Sequence, residues 1–542
     1  MRIRTLVAVL ACAATLSGCM TGPDYVRPDV AAPAQWTSPR EGGESDAPVS
    51  VATWWTTLND PVLDQLAERS VNANLDLKIA EARVREARAA RGIAASALLP
   101  SIGAAGSWTR NQALDSPEAK QGLPFSTGLS VGPGGVTRSL TVRGQNGSIT
   151  RSRTNDGSGN GETTTTSASF SPQPEQEAPD RVDDVFQLGF DAAWELDIFG
   201  GNRRAVEAAE ASIGAAEERR RDVLVSLLAE VARNYIELRA TQSRLDITNK
   251  NIEAQAETVE LTKARFDAGL TSELDAVRAE ALLTATQSQV PFLETQIAAS
   301  MYRLAVLLGE DPGALNAELS TPAPMPAAPA EVPVGLPSDL LRRRPDIRTA
   351  ERELAAATAR IGEATAELFP KFYLTGSIAG RSPSMGDILN SPNQLWSVGP
   401  SVSLPIFRGG QIRANIEVQN ARQEQAAIAY EQSILLALEE VENGLMSFSK
   451  EQVRRKSLDA SVKSNQKAVR LANERYVRGL ETFLNVLQAQ QQLFQSQDLL
   501  VQSESFVLTD LISLYKALGG GWEIAAPETA SDETASIQGA AN

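Results

Sequence analysis

The chain has 542 residues, of which 42% are hydrophobic but only 5% aromatic, so its apolar content is mostly aliphatic and suits close helix packing. Its 51 basic and 67 acidic residues give a net charge of −16, which argues against the basic surface of a nucleic-acid-binding protein. Because histidine is absent, the commonest general base and metal ligand is missing, so an enzyme or a metal-binding protein is disfavoured.

The first element in chain order is a leader sequence. Two arginines precede a short apolar run, Leu6 to Leu16, which is typical of a signal peptide and too short to span a bilayer. The run ends in LSGC, which resembles the lipobox of bacterial lipoproteins. This resemblance implies lipidation of Cys19, including palmitate, and Met20 after it implies sorting to the outer membrane. The alternative is an ordinary signal peptide with a chance cysteine.

Two segments, beginning at Leu75 and Pro345, repeat one helical pattern. Apolar residues recur at alternating steps of three and four, which predicts a helix with a heptad stripe, and Pro100 and Pro370 follow the two copies. The stripe positions are Leu77, Ala80, Val84, Ala87, Arg91, Ala94 and Leu98 in the first copy, and Ile347, Ala350, Leu354, Ala357, Ile361, Ala364 and Leu368 in the second.

After each proline the apolar period changes to two, which predicts four strands in two pairs. They lie near residues 102–108, 186–198, 372–378 and 396–406, and one face of the longer strands is rich in aromatic residues. The alternation fits a half-buried soluble sheet or lipid-facing strands. Outer-membrane sorting favours the membrane. Four strands cannot close a membrane barrel, so two chains with eight strands or three chains with twelve would have to combine.

The segment 111–180 links the first two strands and is rich in Gly, Ser, Thr and Asn. The corresponding link in the second repeat, residues 381–395, is far shorter. We therefore interpret the long segment as an insertion outside the cell. Its composition favours a solvated, mobile loop over a functional one.

Each strand pair is followed by a proline-free helical run, Arg203 to Phe266 and Arg413 to Tyr476. Each run would be roughly 90 Å long, which indicates a bundle or a tube. Both continue into similar sequences that contain a glycine: RFDAGLTSELD with Gly269 and RYVRGLETFLN with Gly479. A glycine here predicts a helix–turn–helix, in which a hydroxyl residue (Thr271 or Ser272, and Thr482) caps the next helix.

The predicted organisation is an internal two-fold repeat. Its segments are a signal peptide (1–18), a lipidated N-terminal segment (19–60), a first repeat (61–314), a Pro/Ala-rich linker (315–335), a second repeat (336–523) and a disordered acidic tail (524–542).

These motifs together resemble the TolC-like outer-membrane efflux channel family, in its lipoprotein (NodT-type) branch. The most specific element is GLPSDLLRRRPDIRTAE, residues 335–351. The resemblance implies a membrane α+β fold: a homotrimeric 12-stranded β-barrel with four strands per chain, continued by a long periplasmic α-helical barrel. It also implies a passive efflux conduit, which a periplasmic adaptor and an inner-membrane pump of the RND type would serve. Such a conduit needs no catalytic residue, metal or cofactor beyond the lipid on Cys19.

The resemblance also assigns roles around the two glycine turns. Leu484 matches the place of a leucine gate ring, whereas Gln488 and Asn485 stand where an acidic ring is expected. Asp275 matches a position that bonds to a tyrosine, here Tyr476, and so latches the gate. The adaptor-docking positions are Arg265, Gly269, Leu270, Arg475, Gly479 and Leu480. For the two arginines, the simpler interpretation is charge that complements the helix dipole.

Two other classes of protein compete with an efflux conduit. A structural or adhesive coiled-coil outer-membrane lipoprotein would share the heptads but has no use for paired strands and paired turns. A lipid-anchored hydrolase would need nucleophile, base or phosphate-binding motifs that the sequence does not contain.

Overall fold

The computed structural model describes residues 20–30, 33–38, 44–45, 52–112, 125–132, 135–144, 147–155, 162–169, 182–329 and 332–523. The predicted signal peptide, the lipidation site Cys19 and the predicted tail 524–542 lie outside these residues. The chain divides into two units. The first comprises Met1–Leu99, Leu196–Lys371 and Ser403–Asn542, and the second comprises Pro100–Glu195 and Phe372–Val402.

The first unit is mainly helical. In chain order its helices are α1 (Pro61–Ala73), α2 (Leu75–Ser96), α3 (Gly201–Asp267), α4 (Glu273–Gln287), α5 (Gln289–Leu307), α6 (Asn316–Leu319), α7 (Pro337–Arg343), α8 (Pro345–Ala366), α9 (Gln411–Val477) and α10 (Phe483–Ala517). None of these helices has an apolar stretch long enough to cross a membrane.

The strands, also numbered in chain order, are β1 (Glu44–Ser45), β2 (Ser101–Gln112), β3 (Phe125–Gly132), β4 (Gly135–Gly144), β5 (Gly147–Asn155), β6 (Glu162–Ser169), β7 (Val182–Leu196), β8 (Val332–Pro333), β9 (Lys371–Ser382) and β10 (Gln394–Ser403). β1 and β8 pair in parallel in the first unit, and the other strands form two four-stranded sheets in the second unit.

The four predicted strands form one sheet with the order β10-β9-β7-β2. β2 and β7 are antiparallel, in register from Ser101 opposite Ala193 to Gln112 opposite Val182. The alternation exposes large apolar side chains on this sheet, including those of Ile102, Trp108, Phe190, Trp396 and Val398. One detail of the prediction is wrong: β10 ends at Ser403, before Leu404 and Ile406. Pro405, which has no N–H to donate, lies between them.

The prediction of a mobile loop at residues 111–180 is wrong for much of that segment. β3, β4, β5 and β6 form an antiparallel sheet in sequence order, hereafter the meander. Its central strands read GVTRSLTVRG and GSITRSRTN, in which hydroxyl residues alternate with others. This period of two is a strand signal that the Gly- and Ser-rich composition obscured.

The two long helices confirm the predicted repeat most directly. α3 and α9 each have 67 residues, which corresponds to about 100 Å of helix. Each is preceded by a glycine in the left-handed conformation, Gly200 (φ 77°) and Gly410 (φ 85°). The heptad helices α2 and α8 each have 22 residues and end at Ser96 and Ala366, a few residues before the two prolines.

In the main core of the first unit, the segment just before α1 packs against α10, the last helix. Trp54 stacks on Tyr515 with ring centroids 5.4 Å apart, and both are buried. Asp60 caps α1 by accepting from the backbone N–H groups of Val62 and Leu63, and its other carboxylate oxygen accepts from Tyr235 of α3 at 2.7 Å. These contacts fix α1 against the long helix.

The most specific sequence motif, GLPSDLLRRRPDI, holds helices together. Arg344, which is buried, donates to the Ala517 carbonyl at 2.8 Å and pairs with Asp346 and Glu440 at 2.6 and 2.7 Å. The indole of Trp522 donates to the Arg343 carbonyl at 3.1 Å. Because α7, α8, α9 and the end of α10 all meet here, this motif is a structural junction.

Residues 20–30 and 33–38, which follow Cys19, run along the helical body as an extended segment, hereafter the strap. The Thr21 hydroxyl donates to the Phe199 and Gly362 carbonyls, and Arg204 donates back to the Thr21 carbonyl at 3.0 Å. Further along, the indole of Trp36 is buried and donates to the Gly335 carbonyl at 3.0 Å. The strap therefore begins at the start of α3.

Candidate functional site

The two predicted turns have the same backbone geometry. In turn A (Ala268–Ser272), the N–H of Gly269 donates to the Phe266 carbonyl and that of Leu270 to the Arg265 carbonyl, both at 2.7 Å. In turn B (Arg478–Thr482), the corresponding donors are Gly479 and Leu480, at 2.9 Å. This pair of bonds is a Schellman motif, which requires a left-handed residue after the helix.

Glycine supplies that conformation in both turns. Gly269 has φ 70° and Gly479 has φ 72°. A Cβ atom at either position would meet nothing within 4 Å, so space does not select glycine here. The backbone conformation selects glycine, because a residue with a Cβ atom is strained at these positive φ values.

The predicted caps are correct in position only. Ser272 and Thr482 occupy the N-cap positions of α4 and α10, but neither side chain makes a capping hydrogen bond. The hydroxyl of Thr271 instead donates to the Asp275 carboxylate at 2.5 Å. Asp275 thus links turn A to the first turn of α4.

Turn B contains an equivalent hydrogen bond, in which the donor and acceptor positions are exchanged. Asn485 donates through its Nδ2 atom to the Glu481 carboxylate. By the internal repeat, Glu481 corresponds to Thr271 and Asn485 to Asp275, so donor and acceptor have exchanged places. We call each of these pairs a clasp. The neutral residue at Asn485, unexpected from the family resemblance, therefore has a carboxylate partner four residues before it.

A small apolar cluster lies beside the two turns and joins four helices. Tyr476 of α9 and Phe483 of α10 have ring centroids 5.5 Å apart. Val259 of α3, Ala279 of α4 and Val486 of α10 complete the buried set. Tyr476 is only 4% exposed. This cluster is separate from the main core and packs the four helices together at this end.

Arg265 connects turn A to the helix that precedes turn B. Its guanidinium lies 4.8 Å from the centre of the Tyr476 ring, and its Nη1 donates to the Val477 carbonyl at 3.3 Å. A cation–π contact of this kind contributes roughly 0.5–2 kcal/mol. Arg265 also lies in the last turn of α3, and its bond to Val477 reaches the last residue of α9, so its charge lies at the C-terminal ends of both helices.

The expected hydrogen bond between Asp275 and Tyr476 does not form in this chain. The Tyr476 hydroxyl is buried and has no hydrogen-bond partner among the described residues, while Asp275 bonds to Thr271. The Tyr476 ring contacts the Arg265 guanidinium and the Phe483 ring. Contact between turns A and B thus rests on the ring of Tyr476, not on its hydroxyl.

The predicted gate residues of α10 lie on one exposed side. Leu484 and Gln488 are one helical turn apart, and both are exposed, as is Asn485. Phe483 and Val486 point into the apolar cluster instead. No cluster of metal-ligating side chains occurs in the described part of the chain.

Of the predicted docking residues, the leucines are the most prominent. Leu270 is 66% exposed and Leu480 is 64% exposed. Arg475 is also exposed and pairs with Glu481 at 3.5 Å, whereas Arg265 is partly covered by its contact with Tyr476. Further exposed apolar side chains lie beside the turns and were not predicted from the sequence, those of Phe266, Leu274, Val277 and Val477. Their position at helix ends, outside any heptad stripe, was the available signal.

A second electrostatic feature lies further along α10. Burial, reinforced by the nearby charge of Glu451, raises the pKa of the Asp510 carboxyl from 3.8 to about 6. Burial also raises the pKa of Glu504 on the same helix. The hydroxyl of Ser503 donates to Glu451 at 2.5 Å.

Comparison with known proteins gives consistent matches over nearly the whole chain. The family described as "Outer membrane efflux protein" matches residues 147–310 and 336–520. Nodulation protein T of Rhizobium leguminosarum bv. trifolii is 32% identical over 517 residues, which cover 94% of this chain and 95% of that protein. The solvent efflux pump outer membrane protein SrpC of Pseudomonas putida is 31% identical and covers 94% of this chain and 97% of its own. The solved structure of the outer-membrane channel OprN has a TM-score of 0.76 and 34% identity, covering 93% of this chain and 100% of that one.

Proposed function

Since the chain belongs to the outer membrane efflux protein family and is the outer-membrane channel of an efflux system, we propose that it works as a homotrimer that a periplasmic adaptor opens at turns A and B. The observation that carries this proposal is the pair of matched turns, each with a solvent-exposed leucine at its apex. Two equivalent turns per chain would give a trimer six similar docking elements.

The proposed docking surface combines the two apical leucines with the exposed arginine of α9. Leu270 and Leu480 each follow the left-handed glycine, so the Schellman geometry presents them in the same way. An adaptor with small apolar pockets and a nearby acidic group would fit this surface, because Arg475 carries the positive charge. Burial of an exposed leucine contributes roughly 1.5–3 kcal/mol.

We propose that the gate is closed by the apolar cluster around Tyr476 and Phe483 together with Arg265. Displacement of α3–α4 relative to α9–α10 would separate Arg265 from Tyr476 and expose the cluster. The exposed side of α10 with Leu484, Asn485 and Gln488 would then line the opening. Because Asn485 and Gln488 are neutral, the proposed gate has no carboxylate ring for a cation at these two positions.

The remaining partners follow from the same role. The proposed assembly includes an inner-membrane pump, of the RND type, which supplies the energy, so the chain itself needs no cofactor and carries out no catalysis. We propose a lipid on Cys19 that anchors the strap in the outer membrane. The exported compound is chosen by the pump; solvent efflux by the relative SrpC points to apolar small molecules as the first class to test.

The experiment is site-specific photo-crosslinking in living cells that make the complete efflux system. A photo-reactive residue replaces Leu480, and a matched variant carries it at Leu389, which is also exposed but lies between β9 and β10. We expect the Leu480 variant alone to give an adduct that mass spectrometry identifies as a periplasmic adaptor. An adaptor adduct from Leu389 only, or no adaptor adduct at Leu480 in cells with active efflux, would contradict the docking site.

A further inference from the structure

The meander has two open edges. Its strand order is β3-β4-β5-β6, so β3 and β6 each pair on one side only within the described residues. An open edge presents unpaired N–H and C=O groups and is a template for another strand. The four strands have 8, 10, 9 and 8 residues and are therefore about 26–33 Å long.

The distribution of charge is the reverse of what an isolated sheet needs. Natural edge strands are usually protected by lysine, other charged residues or proline. Here β3 reads FSTGLSVG, with no charged residue or proline, and β6 reads ETTTTSAS, in which the one charged residue, Glu162, is the first of the strand. The arginines of the meander are in the central strands: Arg138, Arg143, Arg151 and Arg153. The edges are thus left suitable for pairing.

The two faces of the meander differ in composition and in burial. On one face Ser139, Thr141, Thr150 and Ser152 are half-buried, and the hydroxyls of Thr141 and Thr150 lie 2.9 Å apart. Thr165 and Ser167 of β6 continue these rows by register but are exposed. On the other face Leu140, Val142, Arg151 and Arg153 are exposed. Small hydroxyl residues fit the concave, water-filled side of a closed sheet, where side chains crowd.

The meander is inserted next to an edge strand of the other sheet. It is inserted between β2 and β7, whose last and first residues, Gln112 and Val182, are paired. β2 is an edge strand of its own sheet, and in lipid that edge must pair with another chain. The meander is therefore connected at the end of the strand at which one protomer meets the next.

We propose that the edges of the meander pair with those of the neighbouring copies, so that three meanders close into a second 12-stranded ring. β6 of one protomer pairs with β3 of the next. Because the meander has an even number of strands, β3 and β6 run in opposite directions, and this contact is antiparallel like the others. The hydroxyl face lines the ring, which lengthens the exit of the channel. This inference rests on the homotrimer of the proposed function.

Cysteine crosslinking tests the ring directly. Thr165→Cys in β6 is combined in turn with Ser126→Cys, Gly128→Cys or Ser130→Cys in β3, a scan that covers the unknown register between copies. Isolated outer-membrane vesicles that contain the variant are oxidised, and their proteins are run on denaturing gels without reductant. We expect covalent trimers for at least one combination, because each chain then carries both halves of a head-to-tail contact. We expect neither dimers nor trimers for the matching single-cysteine variants.

Two controls separate the possible failures. Thr141→Cys with Thr150→Cys places both thiols inside one meander, so an intrachain disulfide confirms the oxidation and the folded sheet. Unheated gels show whether the non-covalent trimer is present. An intact trimer and a formed control disulfide without covalent trimers in any combination would overturn the ring. Dimers from single-cysteine variants would also overturn it, since they indicate random collision. Absence of the non-covalent trimer in the parent would instead contradict the proposed function.

Discussion

At the scale of single residues, two glycines decide where the long helices end. Gly269 and Gly479 have positive φ values and open surroundings, so only their backbone conformation constrains them. Gly92 in α2 also has open space for a Cβ atom, but it lies within a regular helix. These positions offer the same substitution in two backbone contexts.

We predict opposite effects of alanine at these positions. Gly269→Ala and Gly479→Ala should each destabilise the turn by about 1–2 kcal/mol, because alanine is strained in the left-handed region. Gly92→Ala should stabilise α2 by about 0.5–1 kcal/mol. Hydrogen exchange measures the local opening, in turns A and B for the first two variants and in α2 for Gly92→Ala. Equal effects at all three glycines would show that the left-handed conformation is not what these turns require.

The two clasps should be interchangeable. Thr271→Glu combined with Asp275→Asn gives turn A the residue pair of turn B, Glu481 and Asn485. Asp275→Asn alone leaves Thr271 without a charged acceptor and should cost about 1 kcal/mol. The double variant should recover most of that loss, to within about 0.5 kcal/mol of the parent. Additive losses in the local opening free energy, measured by hydrogen exchange, would refute the equivalence of the clasps.

Local sequence signals located the turns but not their side-chain partners. A glycine at matching places in two long helical patterns predicted both helix ends, since the left-handed conformation it supplies is local. The bond between Asp275 and Tyr476 was expected from the family resemblance alone. It fails here because Arg265 covers the tyrosine ring and Thr271 satisfies the carboxylate. The hydrogen-bond partner of a side chain depends on which other side chains lie near it in the folded structure, and no local sequence pattern encodes that.

At the scale of elements, periodicity was a reliable guide where it was long. The heptad stripe predicted α2 and α8, and the absence of proline predicted α3 and α9 to within two residues at each end. The meander was missed because its composition resembles a loop, although β4 and β5 alternate with period two. Strand pairing brings distant segments together, so short polar strands give weak signals individually.

The half-buried Asp510 should make the stability of α10 depend on pH. The pKa of this carboxyl, about 6, lies above its ordinary 3.8, so the folded state binds the proton more tightly than the unfolded state. The stabilising contribution of the protonated form is therefore complete below about pH 4 and is lost as the pH rises through about 6. Asp510→Asn, which is always neutral, should be more stable than the parent at neutral pH.

We expect that advantage to be about 1 kcal/mol at about pH 7.5, since solvent screening reduces it, and to vanish near pH 4. Thermal unfolding of parent and variant across this range measures it. Asp246→Asn is the matched control, because Asp246 is exposed and pairs with Lys250 on the same helix. A pH-independent difference for Asp510→Asn would show that packing, not titration, is responsible.

At the scale of the whole molecule, the predicted family, channel fold and outer-membrane role are confirmed by the comparisons. Each chain supplies one four-stranded sheet with an exposed apolar face, and the comparisons identify this fold with that of outer-membrane channels. The internal repeat explains the two equivalent turns. The two helix ends differ in their surroundings, since the Tyr476 ring is buried in the apolar cluster whereas Phe266, its equivalent in the first repeat, is exposed.

In the proposed mechanism, the apolar cluster beside the turns holds the channel closed. Single-channel conductance in planar bilayers tests it with the purified parent, Phe483→Ala and Tyr476→Phe. Phe483→Ala removes a buried ring at a cost of about 3–5 kcal/mol and should raise the leak conductance several-fold. Tyr476→Phe keeps the ring and removes only a hydroxyl without a described partner, so its conductance should equal that of the parent. A closed Phe483→Ala channel, or a Tyr476→Phe channel that opens as far, would contradict the account.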